Sequence, residues 1–120
     1  MKENNQIAID SKKFAIRIVK LYKYLNDVKK EFVISKQILR SGTSIGANIS
    51  ESVYAQSRQD FISKLSISLK EASETKYWLE ILYETDFIDD TQFESLSDDN
   101  SKLIGTLVNI INSTKNNNNV

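Results

Sequence analysis

The absence of proline is the feature that most constrains how this chain folds. No proline occurs in 120 residues, and only three glycines do, at positions 42, 46 and 105. A β-rich fold of this length needs many tight turns, and glycine and proline supply most turn residues. The sequence therefore predicts an all-α protein. Its 40% hydrophobic and 27% charged residues are typical of a soluble globular domain.

Apolar residues recur every three or four positions and divide the chain into four amphipathic helices. The predicted helices cover about 8–31, 35–57, 58–85 and the segment from 89 onward. Their short connections favour an antiparallel up-down four-helix bundle. We expect residues 1–115 to form this single domain and the asparagine-rich residues 116–120 to be disordered.

Each helix carries its own apolar stripe, and we expect Ser35 to cap the second helix. The predicted stripe of the first helix is Phe14, Ile18, Leu21, Leu25, Val28 and Phe32, and that of the second is Ile34, Ile38, Ile45, Ile49 and Val53. The predicted stripe of the third is Phe61, Leu65, Leu69, Ala72, Leu79 and Leu82, and that of the fourth is Phe93, Leu96, Leu103, Leu107 and Ile110.

Residues 40–51 contain two glycines and several small polar residues inside a segment that otherwise resembles a helix. Each glycine costs a helix about 1 kcal/mol relative to alanine, so another interaction must compensate. Gly42, Gly46 and Ser50 are spaced by four residues, which places them on one side of the helix. We expect another helix to pack closely against these three positions.

Charge is distributed unevenly along a chain with no net charge. Residues 1–64 contain twelve Lys and Arg against six Asp and Glu, whereas residues 65–120 contain four against ten. A basic half can contact nucleic acid, or it can meet the acidic half of another copy, or it can simply be solvated. The candidate phosphate-binding residues are Lys12, Lys13, Arg17, Lys20, Lys23, Lys36, Arg40 and Arg58.

The chain contains no histidine and no cysteine, which removes the commonest general base and the commonest transition-metal ligands. We expect no catalytic residue, no metal and no cofactor. Inward-facing carboxylates are expected instead to form a structural polar network, although a metal site or simple exposure are alternatives. The predicted network comprises Arg40, Asn48, Glu51, Glu71 and Glu74.

No segment approaches the roughly 20 apolar residues of a membrane span, and no signal peptide is recognisable. We therefore expect a cytoplasmic protein that does not associate with membranes.

Two runs of residues resemble a known family. Residues 35–51, SKQILRSGTSIGANISE, and residues 60–79, DFISKLSISLKEASETKYWL, are similar to the bacterial proteins encoded in intervening sequences of 23S rRNA genes, also labelled ribosomal protein S23. The resemblance implies a non-enzymatic four-helix bundle that assembles into a homo-oligomeric ring, expected to be a pentamer. The accessory variability proteins of diversity-generating retroelements are similar in fold and bind nucleic acid and a reverse transcriptase, which implies association with RNA or DNA here.

These observations lead to a hypothesis and a rival. The hypothesis is a homo-oligomeric helical scaffold whose possible activity is RNA or DNA binding. The rival is an adaptor that binds another protein and no nucleic acid.

Overall fold

Four long helices form the molecule. The computed structural model describes residues 2–117, with side chains from residue 5 onward. The helices are α1 (Lys2–Asp27), α2 (Ile34–Ser52), α3 (Arg58–Glu84) and α4 (Asp90–Asn116). No strand occurs in this described part of the chain. Each helix packs against the next one, α4 packs against α1, and the bundle measures 52 × 22 × 19 Å. The predicted all-α antiparallel up-down four-helix bundle is confirmed.

One hydrophobic core runs along the bundle axis and draws on all four helices. Most of the predicted stripe residues lie in it, because helical periodicity places positions three and four apart on the same side. Its fully enclosed large apolar side chains are Phe14, Ile18, Leu25, Ile38, Ile45, Leu65, Leu79, Leu82, Leu107 and Ile110.

Three predicted core residues are instead exposed, and the positions of the helix ends explain why. Val28 and Phe32 follow the end of α1 at Asp27, where the chain turns through a left-handed conformation at Lys30 with φ 55°. Val53 follows the end of α2 at Ser52. Apolar spacing continues past both helix ends, but the backbone no longer turns those side chains toward the core. The predicted helices over 8–31 and 35–57 were therefore too long at their C-terminal ends.

The C-terminal end of the bundle also differs from the prediction. Helix α4 continues through Asn116, and Asn117 is its C-cap. Residues 116 and 117 of the predicted disordered tail thus belong to the helix or its cap, and residues 118–120 lie outside the described residues.

Glu31, and not Ser35, caps the start of α2. Its carboxylate accepts hydrogen bonds from the backbone N–H groups of Val33, Ile34 and Ser35, at 3.0, 3.0 and 2.7 Å. Burial by itself raises the pKa of Glu31, but these donors outweigh it and hold the pKa below its usual value of 4.5. The first N–H groups of a helix have no partner within the helix, so this side chain satisfies three of them.

Glu31→Gln tests this cap. The variant keeps the size of the side chain but loses the charge, so we expect the free energy of unfolding to fall by about 1 kcal/mol at neutral pH. A lowered pKa means that the stabilisation is complete above pH 4.5 and is lost as the pH falls below that value. Urea denaturation should therefore show a smaller difference in the free energy of unfolding between the variant and the wild type at pH 3 than at pH 7.

The control is Glu51→Gln, an exposed carboxylate near the other end of α2. We expect it to leave the stability unchanged at both pH values. A Glu31→Gln variant that loses the same stability at pH 3 as at pH 7 would contradict the charged cap.

Candidate functional site

The stretch of small residues in α2 lies against α1. A Cβ atom built on Gly42 lies 2.8 Å from Cγ1 and 2.9 Å from Cγ2 of Ile18. A Cβ atom on Gly46 lies 3.3 Å from the backbone oxygen of Ser11. Real Cβ atoms do not approach carbon atoms within 3 Å, so glycine at position 42 is what allows Ile18 its place in the core.

Ser50, the third residue of the predicted close-packing face, is exposed and takes no part in this contact. The physical reason is that an α-helix has 3.6 residues per turn and not four. Each step of four residues rotates the side-chain direction by roughly 40°, so the direction at Ser50 is roughly 80° away from that at Gly42. The close approach covers only the first two positions.

Gly42→Ala tests this packing, and Ser73→Ala at an exposed position on α3 is the control. Ile18 is buried and branched at Cβ, so it cannot easily move away from a new methyl group. We expect Gly42→Ala to lower the free energy of unfolding by about 1–3 kcal/mol. Ser73 faces solvent, so its change to alanine should raise the free energy of unfolding by at most about 0.5 kcal/mol through helix propensity.

Thermal and urea denaturation of both variants and the wild type at one protein concentration measure the two effects. A Gly42→Ala protein as stable as the wild type would mean that the helices separate freely at this point.

Three of the five residues of the predicted polar network meet on the outside of the α2–α3 pair. Arg40 Nη1 donates to Glu71 Oε2 at 2.8 Å, and Arg40 Nη2 donates to Glu74. Trp78 Nε1 also donates to Glu74, at 3.0 Å. The Arg40 guanidinium, assisted by the Trp78 indole, lowers the pKa of Glu74, and Glu74 in turn raises the pKa of Arg40. The group joins α2 to α3 by charge-assisted hydrogen bonds.

Asn48 and Glu51 lie outside this group. Asn48 donates to the backbone oxygen of Ser44 in its own helix, at 2.9 Å. Glu51 is exposed near the end of α2. An amide can satisfy itself on a carbonyl of the preceding turn, and an exposed carboxylate needs no partner other than water.

A second set of polar contacts lies inside the α2–α3 interface, and the sequence reading missed it. Thr75 Oγ1 donates to Ser41 Oγ at 2.9 Å, and Ser68 Oγ donates to the backbone oxygen of Ile45 at 2.8 Å. All three hydroxyl residues are buried. The sequence did contain a signal for their burial, since positions 41, 68 and 75 follow the periodicity of the core. Small hydroxyl side chains occupy these positions because larger ones would not fit between two closely packed helices.

The predicted phosphate-binding residues do not form one surface. Lys12, Lys13, Lys20 and Lys23 are exposed along α1, and Lys36 is exposed near the start of α2. Arg58, which has an interaction of its own, begins α3 at the opposite end of the bundle.

Two of the predicted arginines hold the bundle together. Arg17 Nη1 donates to Asp99 Oδ2 at 2.6 Å, and its Nη2 donates to Ser95 Oγ at 2.9 Å, joining α1 to α4. Arg40 is bound by Glu71 and Glu74, as described above. Both guanidinium groups are therefore paired with carboxylates, while 38% of the Arg17 side chain and 51% of the Arg40 side chain stay exposed.

The lysines share α1 with exposed apolar side chains. We define the α1 outer face as five exposed residues, Ile9, Lys12, Ile16, Lys20 and Lys23, which are spaced by three or four positions. Ile9 and Ile16 retain 50% and 49% of their accessible surface. The sequence reading missed these two isoleucines. Their spacing of seven residues, on the side of α1 opposite to the core stripe, was the available signal.

A cavity of about 260 Å³ lies between α1 and α4, and its lining residues are Ile7, Asp10, Lys13, Phe14, Asp99, Lys102, Leu103 and Thr106. No group of three carboxylates among the described side chains is arranged to hold a metal ion. None of the four described helices has the length and apolarity needed to cross a lipid bilayer.

Comparison with known proteins identifies the relatives of this fold. The sequence profile of the family described as 23S rRNA-intervening sequence protein matches residues 3–109. A comparison with curated proteins found no match. A crystal structure from Bacteroides thetaiotaomicron, described as a protein with unknown function from the S23 ribosomal protein family, is 55% identical to this chain. The two superpose with a TM-score of 0.91 over 92% of this chain and 98% of the other.

Proposed function

Because the chain belongs to the 23S rRNA-intervening sequence protein family, we propose that it is a non-enzymatic helical scaffold that assembles with further copies of itself. A ring is the expected form of this assembly, with five copies by the resemblance described above. The observation that supports self-assembly most strongly is the α1 outer face, where Ile9 and Ile16 are half exposed among lysines. Helix α1 already packs one side into the core. Exposed apolar residues on its other side are typical of a surface that a partner protein covers.

The proposal of a non-enzymatic role has independent support. The sequence has no histidine or cysteine, and its partly buried carboxylates Glu71 and Glu74 are bound to Arg40. The Arg40 guanidinium lowers the pKa of Glu74, which makes that carboxylate a weaker proton acceptor. Arg40, Glu71 and Glu74 therefore suit a role in fixing the α2–α3 packing.

Light scattering coupled to size-exclusion chromatography tests self-assembly. We expect a mass several times that of the 13.7 kDa chain at micromolar concentration. A single monomer peak at that concentration would contradict the proposal.

RNA or DNA binding is a second candidate activity, and the specific observation in its favour is the row of lysines on α1. Lys12, Lys13, Lys20 and Lys23 are exposed, and the structure gives none of them a salt bridge to a described residue. Ammonium groups along one helix can follow a phosphate backbone without reading its sequence. A cytoplasmic location accords with either activity.

The nucleic-acid activity is tested by mobility shift with structured RNA and duplex DNA at several salt concentrations. Changing Lys12, Lys13, Lys20 and Lys23 to glutamine should weaken binding at least tenfold and flatten its dependence on salt, because fewer counterions are released. The matched control changes the four lysines of the acidic half, Lys70, Lys76, Lys102 and Lys115, to glutamine.

Light scattering on the same variants separates a loss of affinity from a loss of assembly. Equal weakening by the two sets of four substitutions would contradict a binding site on α1. No shift of either nucleic acid at low salt would exclude this activity and favour the protein-binding adaptor.

A further inference from the structure

An added side chain at Gly105 would touch none of the described residues of its own chain. Gly105 lies inside α4 on the exposed side, and a Cβ atom built there would meet nothing within 4 Å. A glycine inside an exposed helix costs about 1 kcal/mol relative to alanine. Close approach of another backbone or side chain is the usual reason for accepting that cost, and Gly105 has no such neighbour in the part of its own chain that the structure describes.

The residues around Gly105 form a second exposed face. We define the α4 outer face as Glu94, Asp98, Ser101, Gly105 and Val108, which are all exposed and are spaced by three or four positions. Its first two residues, which lie nearest the start of α4, are acidic. Neither Glu94 nor Asp98 forms a salt bridge with a described residue.

The heights of the α1 and α4 outer faces along the bundle can be compared. The two helices are antiparallel, and Arg17 binds both Ser95 and Asp99, so its level lies within the turn of α4 between these two residues. Each residue advances about 1.5 Å along the axis of either helix. One residue toward the N-terminus in α1 therefore changes the height as much as one residue toward the C-terminus in α4. On this scale, and to within one helical turn, Lys20 and Lys23 lie level with the first turns of α4, which carry Glu94 and Asp98. Ile9 and Lys12 lie level with the later turns, which carry Ser101, Gly105 and Val108.

The two faces are therefore complementary at equal heights. At one end of the bundle, lysines of α1 lie level with acidic residues of α4. Toward the other end, Ile9 and Lys12 of α1 lie at the level of the turns of α4 that carry the bare backbone of Gly105 and the apolar Val108. Equal heights are preserved when copies are related by rotation about an axis parallel to the bundle, which is the arrangement within a ring.

We propose that the α1 outer face of one copy docks against the α4 outer face of the next. This inference rests on the self-assembly proposed above and specifies its interface. Two different surfaces meet, so the contact is heterologous, and repetition of it yields a closed ring or an open chain of copies. The pairing also places Lys20 and Lys23 opposite carboxylates. Among the predicted phosphate-binding lysines, Lys13 and Lys36 then lie outside the paired faces.

Two substitutions that each block one face test the pairing. Ile16→Glu places a charge in the middle of the α1 outer face, and Gly105→Glu fills the gap in the α4 outer face. Both positions are exposed and glutamate is a good helix former, so both chains should fold. The control is Ser66→Glu at an exposed position on α3, which lies on neither face.

Light scattering of nuclease-treated protein should give an oligomer for the wild type and for Ser66→Glu, and a monomer for Ile16→Glu and for Gly105→Glu. A 1:1 mixture of the two monomeric variants has one intact pair of faces, so it should form a dimer with one copy of each variant and nothing larger. Circular dichroism of each variant should show the helical spectrum of the wild type.

Several results would overturn the inference. Oligomers formed by Ile16→Glu or Gly105→Glu, beside an oligomeric wild type, would show that another interface holds the copies together. A mixture that stays monomeric would mean that the two faces do not meet. A wild-type oligomer that dissolves on nuclease treatment would show that nucleic acid joins the copies. A wild-type monomer would instead overturn the proposed self-assembly itself.

Discussion

The contact between Gly42 and Ile18 determines how the first two helices of this bundle meet. Ile18 is completely buried, and its two γ carbons occupy the space that a side chain at position 42 would need. The approach fixes which side of α1 faces inward. Because a helix has 3.6 residues per turn, turning Ile18 toward α2 necessarily turns Ile9, Ile16 and the lysines between them toward solvent. The surface from which function is argued therefore follows from a packing constraint in the core.

Polar contacts then define how the remaining helices are arranged along the bundle. Hydroxyl groups link α2 and α3 on the inside through Ser41 and Thr75, and charged groups link them on the outside through Arg40. Arg17 of α1 forms a salt bridge with Asp99 of α4 and so links these two helices. A buried polar group is costly unless it has a partner, so each pair favours one alignment of the helices over its neighbours. The same contacts pair two of the predicted phosphate-binding arginines with carboxylates, although both side chains stay partly exposed.

The sequence was sufficient for the architecture and insufficient for the details at the ends of helices. Apolar spacing predicted four helices and most of their inward positions, because burial follows the helical period. Apolar spacing gave the wrong burial for Val28, Phe32 and Val53, because the spacing of apolar residues does not show where a helix ends and the backbone turns. The left-handed conformation of Lys30 and the capping of α2 by Glu31 depend on local geometry that lysine and glutamate do not usually adopt, so neither residue type signalled them.

The sequence likewise predicted only part of the candidate site. A carboxylate–arginine group was foreseeable, and the structure brings Arg40, Glu71 and Glu74 together, but the same reasoning also included Asn48 and Glu51. Charge counting could not distinguish lysines that face solvent from arginines that bind neighbouring helices. Ile9, Ile16 and Gly105 became informative only when their exposure was known, because an apolar or missing side chain has a different meaning in a core and on a surface.

A double-mutant cycle on Gly42→Ala and Ile18→Ala tests the central packing claim most directly. Ile18→Ala removes the γ carbons that a methyl group at position 42 would strike. The account predicts that Gly42→Ala destabilises the wild type but is neutral or stabilising in the Ile18→Ala background, a coupling of about 1–3 kcal/mol between the two sites. Equal costs of Gly42→Ala in both backgrounds, measured by urea denaturation, would show that Ile18 does not determine the residue at position 42.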